Sequence, residues 1–113
     1  MKSLKQLVTR QDIANAVTTL GTVGTNKKWT VQQISLFNHT ATPRPINIYM
    51  ALSGSAGSTN QIKSASGKSV PPYTLELINI SEALSAGGGI SADDNGAGGN
   101  VVNIGIFGIE EDI

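Results

Sequence analysis

The segment INIYMALS, residues 46–53, sets Ile46, Ile48, Met50 and Leu52 on one side of an extended chain and Asn47, Tyr49, Ala51 and Ser53 on the other. A two-residue period is the signature of a β-strand with one face turned to a core. The preceding stretch, KWTVQQISLFNHT from Lys28, is rich in β-branched and aromatic residues (Trp29, Val31, Ile34, Phe37), but its apolar alternation changes phase between Val31 and Ile34. One extra residue near Gln32 and Gln33, a β-bulge, restores a common face, because each inserted residue turns all later side chains over. With ATPRP between them, the two limbs are expected to form a hairpin from Lys28 to Ser53.

The rest of the chain repeats this vocabulary of short strands and turns. Ala16–Val23 has strand composition, and Gly24-Thr25-Asn26-Lys27 follows as a turn. Gly54–Asn60 reads as a polar loop, Gln61–Ala65 as a short strand, and Ser66-Gly67-Lys68 as a turn. Val70-Pro71-Pro72 fixes an extended entry to Tyr73–Ile80, because proline sets its own φ and disfavours helix in the residue before it. In that strand Tyr73, Leu75 and Leu77 share one face and Ile78 and Ile80 the other, so both faces are expected to be covered, by a second sheet or by another chain. Ser81–Leu84 with Gly87-Gly88-Gly89 reads as a turn, Ile90–Ala92 as a short strand, Asp93–Asn100 as a loop and Val101–Ile109 as the last strand. Gly105 and Gly108 within it imply a bulge or a close backbone neighbour. Glu110-Glu111-Asp112-Ile113 is expected to be a solvated tail.

No strand is followed by an amphipathic helix long enough for a parallel crossover. The expected fold is therefore all-β: one antiparallel β-sandwich or jelly roll of seven to eight strands over residues 16–113, preceded by an extended N-terminal arm, residues 1–15. Within the arm Leu4, Leu7 and Val8 have the spacing of a short amphipathic helix, yet LVT equally suits the start of a strand, including an edge strand that pairs with a neighbouring subunit, and a loosely ordered terminus is the plain alternative.

Composition narrows the chemistry. The absence of cysteine excludes disulfides, thiolate metal sites and a cysteine nucleophile. Eight basic and eight acidic side chains cancel, which argues against nucleic acid as a partner held by counterion release. Charged residues make up 14% of the chain, against about a quarter in ordinary soluble domains, a surface suited to a subunit packed among others. Lys2, Lys5, Arg10 and Asp12 interrupt the apolar groups of the first twenty residues, so neither a signal peptide nor a membrane span is expected.

The single histidine, His39, has no partner set for catalysis, and no nucleophile-elbow pattern is present. No catalytic, cofactor-binding or metal-ligating residues are assigned. Asp93-Asp94-Asn95-Gly96 has the oxygens a hard cation prefers, but its spacing departs from an EF-hand and suits an ordinary turn. The glycine groups lack the Lys-Ser or Lys-Thr and helix of a phosphate loop. Trp29, Phe37, Tyr49, Tyr73 and Phe107 all fall in expected strands, where core packing accounts for most aromatic residues.

The succession DIANAVTTLGTVGTNKKWTVQQISLFNHT, INIYMALSG, YTLELINISEALSAGGGISA and VVNIGIFGIEE, over about residues 12–110, resembles small virion structural proteins of tailed bacteriophages. That resemblance implies a non-enzymatic capsid decoration, or cement, protein on the capsid surface of the virion, a homo-oligomer (commonly a trimer) that bridges neighbouring copies of a major capsid protein without cofactors. Under it, Leu4, Leu7 and Val8 in the arm and Ile78 and Ile80 in the Tyr73–Ile80 strand are the candidate partner-binding residues. The alternatives are a neck, tail or fibre component, and a carbohydrate-binding sandwich marked by clustered exposed aromatic residues.

Overall fold

The computed structural model describes residues 5–53, 62–94 and 101–112, with the side chains of 62–64 left undescribed. These residues form eight strands: β1 (Lys5–Asp12), β2 (Thr18–Thr22), β3 (Lys27–Asn38), β4 (Arg44–Ala51), β5 (Ile62–Val70), β6 (Leu75–Ser85), β7 (Gly89–Asp93) and β8 (Val102–Asp112). They build two four-stranded sheets, β1-β8-β3-β6 and β2-β7-β4-β5. Every pairing is antiparallel, and β1 meets β8, β2 meets β7, β3 meets β6 and β4 meets β5. The chain is thus one long hairpin of four nested pairs, rolled up so that β8 also pairs with β3 and β7 with β4. This is the jelly-roll form of the β-sandwich.

The sheets face each other across a core in which Val31, Ile34 and Leu36 of β3, Ile46, Ile48 and Met50 of β4, Ile90 of β7 and Ile104 and Ile106 of β8 are wholly buried. Burial of each such side chain contributes about 1.5–3 kcal/mol relative to exposure. The expected phase change in β3 is present. Its register shifts between Val31 and Gln33 against both neighbours, Gln32 projects to solvent, and the inward row passes from Trp29 and Val31 to Ile34 and Leu36.

The expected hairpin from Lys28 to Ser53 does not form. β3 and β4 lie in different sheets, and residues 39–43 cross between them. The side-chain alternation of each limb defines which face turns inward but not which strand lies alongside. Here β3 pairs with β6 and β8, and β4 with β5 and β7. The outer row of β4 is also covered: Asn47, Tyr49 and Ala51 are buried, whereas Leu52, just past the strand, is partly exposed.

Other expected boundaries move as well. Residues 66–68 are a bulge inside β5 rather than a turn: the register shifts between Ile46 and Ile48, and Gly67 takes φ +61°, a conformation costly for side-chain-bearing residues. Ser81–Leu84, expected as a turn, continues β6 to Ser85, because Glu82 and Leu84 pair with Val31 and Trp29. The expected acidic tail is the end of β8. Residues 5–12 of the expected arm are β1, hydrogen-bonded to β8 of its own chain.

Candidate interaction surfaces

Two regions of the sandwich present organised surface. The first is the end where the connections β1–β2, β3–β4, β5–β6 and β7–β8 gather. Asn38, fully buried at the end of β3, is its hub. Its side-chain amide donates to the carbonyls of Thr42 (2.7 Å) and Val70 (3.0 Å), and its Oδ1 accepts from Thr40 N (2.9 Å) and Thr40 Oγ1 (2.7 Å). Its main-chain N–H donates to Thr74 O (3.2 Å), while His39 N donates to Val101 O (3.2 Å). The buried amide thereby ties the β3–β4 connection to the end of β5, and main-chain bonds of Asn38 and His39 add Thr74 and Val101. His39 itself is half-exposed, with Nε2 4.0 Å from Asp12 Oδ1.

At the same end, Tyr73 has φ +51° and is 66% exposed. Glycine or asparagine ordinarily fills such a corner, because the left-handed conformation costs other residues about 1–2 kcal/mol. An aromatic side chain held there and turned to solvent is a strained feature of the kind that accompanies contact sites.

The second region is the outer face of the β1-β8-β3-β6 sheet. On its edge strand β6 the exposure alternates strictly, with Leu75 at 55% and Leu77 at 50% on the outside. Phe37 of β3 lies directly opposite Leu75, and Ser35 opposite Leu77. Tyr73, Leu75, Leu77 and Phe37 therefore continue one another as an outward apolar row. Farther across the sheet, the Arg10 guanidinium lies over Gly105, donating to Asn103 Oδ1 (2.8 Å) and to Ser35 Oγ. A Cβ on Gly105 would sit 2.8 Å from Arg10 Nη2, so the missing side chain makes room for the arginine. A Cβ on Gly108 would collide with the Thr30 carbonyl oxygen, the close backbone approach anticipated for that strand.

The partner-binding residues expected from the sequence separate in space. Leu4 lies outside the described residues. Leu7 and Val8 are on β1, where Val8 is buried in the core and Leu7 packs against it. Ile78 and Ile80 are half-buried on the inner side of β6, against the same core. The outward positions of that strand are instead Leu75 and Leu77. Inclusion of Leu84 in the strand was the signal that distinguishes the two rows, since it shares the parity of Ile78 and Ile80 and is wholly buried.

Asp93, one of the two carboxylates considered for a cation, ends β7 and is buried. It accepts hydrogen bonds from Asn47 Nδ2 (2.9 Å) and Tyr49 Oη (3.2 Å). Burial, and then the Asp93 charge, push the Tyr49 hydroxyl above its ordinary pKa. Asp94 is also buried and its N–H donates to Ala14 O (3.2 Å), while Asn95 and Gly96 lie outside the described residues. Among the described residues, no three His, Asp or Glu side chains group closely enough to hold a metal ion. What the site geometry offers is hydrogen-bonded connections and open apolar surface.

An eight-stranded jelly roll with these surfaces is the class the chain belongs to structurally. Among solved structures it is similar to a chain of the T13 IBDV viral particle (TM-score 0.59, 12% identity), the match covering 98% of this chain and 31% of that one. It is also similar to a chain of the infectious bursal disease virus Gx strain (TM-score 0.55, 9% identity), over 97% of this chain and 32% of that one. The protein thus spans about a third of the length of these viral chains, and the likeness is one of fold. No protein-family model matches the chain, and no curated protein matches it.

Proposed function

We propose that the protein is a non-enzymatic structural component of a virion, which decorates a bacteriophage capsid and stabilises it by bridging neighbouring copies of the major capsid protein. The observation that carries this reading is that almost the whole chain matches part of a chain in a viral particle. The sparsely charged surface and the outward apolar row of β6 support it, since both suit a subunit surrounded by protein. A homo-oligomer, a trimer under the resemblance drawn from the sequence, attaches through several equivalent sites at once, and such multivalency turns modest contacts into durable ones. Shell reinforcement then needs no chemistry beyond rigid sandwiches spanning the joints between capsomers.

The test is co-sedimentation of the purified protein with expanded capsid shells that lack it, followed by heating of the decorated and bare shells. Saturable binding and a higher disruption temperature of the decorated shells are expected. Absence of binding to shells, together with binding to tail assemblies or to a glycan array, would overturn the reading.

A further inference from the structure

The sheet that carries the apolar row has two edge strands with no further neighbour among the described residues. One is β6, eleven residues from Leu75 to Ser85, which pairs only with β3 among the described strands. Edge strands of monomers are ordinarily protected from pairing with other chains by lysine, proline or a short length. β6 has neither lysine nor proline, is long, and exposes Leu75 and Leu77. The other edge is β1, which pairs only with β8 among the described strands.

The charges of the two edges differ. β6 carries Glu76 and Glu82 with no cation, whereas β1 carries Lys5 and Arg10 with Asp12. Lys5 is half-exposed where it meets Glu110. Two β6 edges brought together about a two-fold axis would line one seam with four carboxylates and no cation. Arg10 is turned over its own sheet. A β6 edge laid level against β1 nevertheless sets Glu82 against Lys5, since both lie in the row of Val31 and Gly108. The β6–β6 seam instead sets like charges across a strand pair, which is destabilising.

Resting on the homo-oligomeric reading above, we infer that β6 of one protomer adds to β1 of the next, so that the β1-β8-β3-β6 sheets of neighbouring copies join edge to edge. The occupant of the exposed edge is thus a second copy of this chain. Main-chain hydrogen bonds supply the pairing, as in other strand additions. Such a contact is head-to-tail, and it forms a ring when its rotation closes.

The chain has no cysteine, so single thiols report on the contact directly. Thr9→Cys on β1 and Ser81→Cys on β6, both at exposed positions, are purified separately, one of them labelled with heavy nitrogen, then mixed and treated with a short bismaleimide. Cross-linked pairs containing one of each are expected. Cross-linking of Ser81→Cys only to itself, a lack of mixed pairs, or a wild-type chain that sediments as a monomer would overturn the inference. As a second arm, Leu77→Lys is expected to raise the dissociation constant of self-association about tenfold or more, with an unchanged far-UV circular dichroism spectrum. Unaltered self-association would overturn the inference, and if shell binding is lost at the same time it would assign the row to a shell protein. The two readings fail separately: shell binding by a protein without the β6–β1 contact removes only this inference, and a β6–β1 assembly with no affinity for shells removes only the capsid reading.

Discussion

The indole N–H of Trp29 donates a 2.8 Å hydrogen bond to Glu110 Oε2, so the strand that opens the core of the first sheet is fastened to the far end of the chain. Lys5 Nζ donates to the other oxygen of the same carboxylate at 3.0 Å, which brings β1, β3 and β8 together on one side chain. Trp29→Phe keeps most of the buried ring but leaves the carboxylate short of a donor. It is expected to cost about 1.5–3 kcal/mol in urea unfolding.

The same end of β8 sets the acid limb of stability. The Trp29 and Lys5 hydrogen bonds hold Glu110 below the ordinary carboxylate range, and the Lys27 hydrogen bond and charge do so for Asp112. Below that range the unfolded chain binds protons more readily than the folded one. The contribution is therefore complete above the ordinary carboxylate range and declines as pH falls toward the depressed folded values. Lys27 is shifted upward by Asp112, so its share is present below the ordinary lysine range and is lost only as pH rises through the raised folded value. Unfolding midpoints measured down a pH series should fall less steeply in Glu110→Gln than in the wild type.

The bulge at Gln32 is expected to be indispensable as an inserted residue and indifferent as a side chain. Gln32→Ala should change stability by no more than about 0.5 kcal/mol, since the side chain is exposed. Deletion of Gln32 turns Ile34 and Leu36 out of the core, and the product should lack a cooperative thermal transition.

Gly105 and Gly108 are both strand glycines with crowded Cβ positions, but what crowds them differs. At Gly108 the obstacle is the Thr30 carbonyl of the paired strand, so Gly108→Ala should cost about 3 kcal/mol or more. At Gly105 it is the end of the Arg10 side chain, which can swing away, so Gly105→Ala should cost about 1 kcal/mol. Chemical denaturation of the two variants side by side checks the order.

Tyr73 offers the reverse case, a residue whose loss helps the isolated chain. Tyr73→Gly relieves the positive φ without emptying the core and should leave stability unchanged or raise it by up to about 1 kcal/mol. If the exposed ring serves contact with a partner, the same variant should weaken association. Thermal unfolding and shell co-sedimentation of one preparation measure both effects.

The sequence by itself determined that the chain is a small all-β sandwich, because alternation and turn residues are local properties. The inward rows of β3 and β4, the bulge at Gln32 and the turn at Gly24–Lys27 are legible from neighbours a few positions away. Only the tertiary structure decided that β3 and β4 belong to different sheets, that β6 turns Ile78 and Ile80 inward and Leu75 and Leu77 out, and that Glu110 closes over Trp29. The physical reason is that main-chain hydrogen bonds are nearly the same for any antiparallel partner. Pairing is therefore selected by long-range burial of whole rows, and by contacts such as Trp29 with Glu110 that join residues remote in the chain.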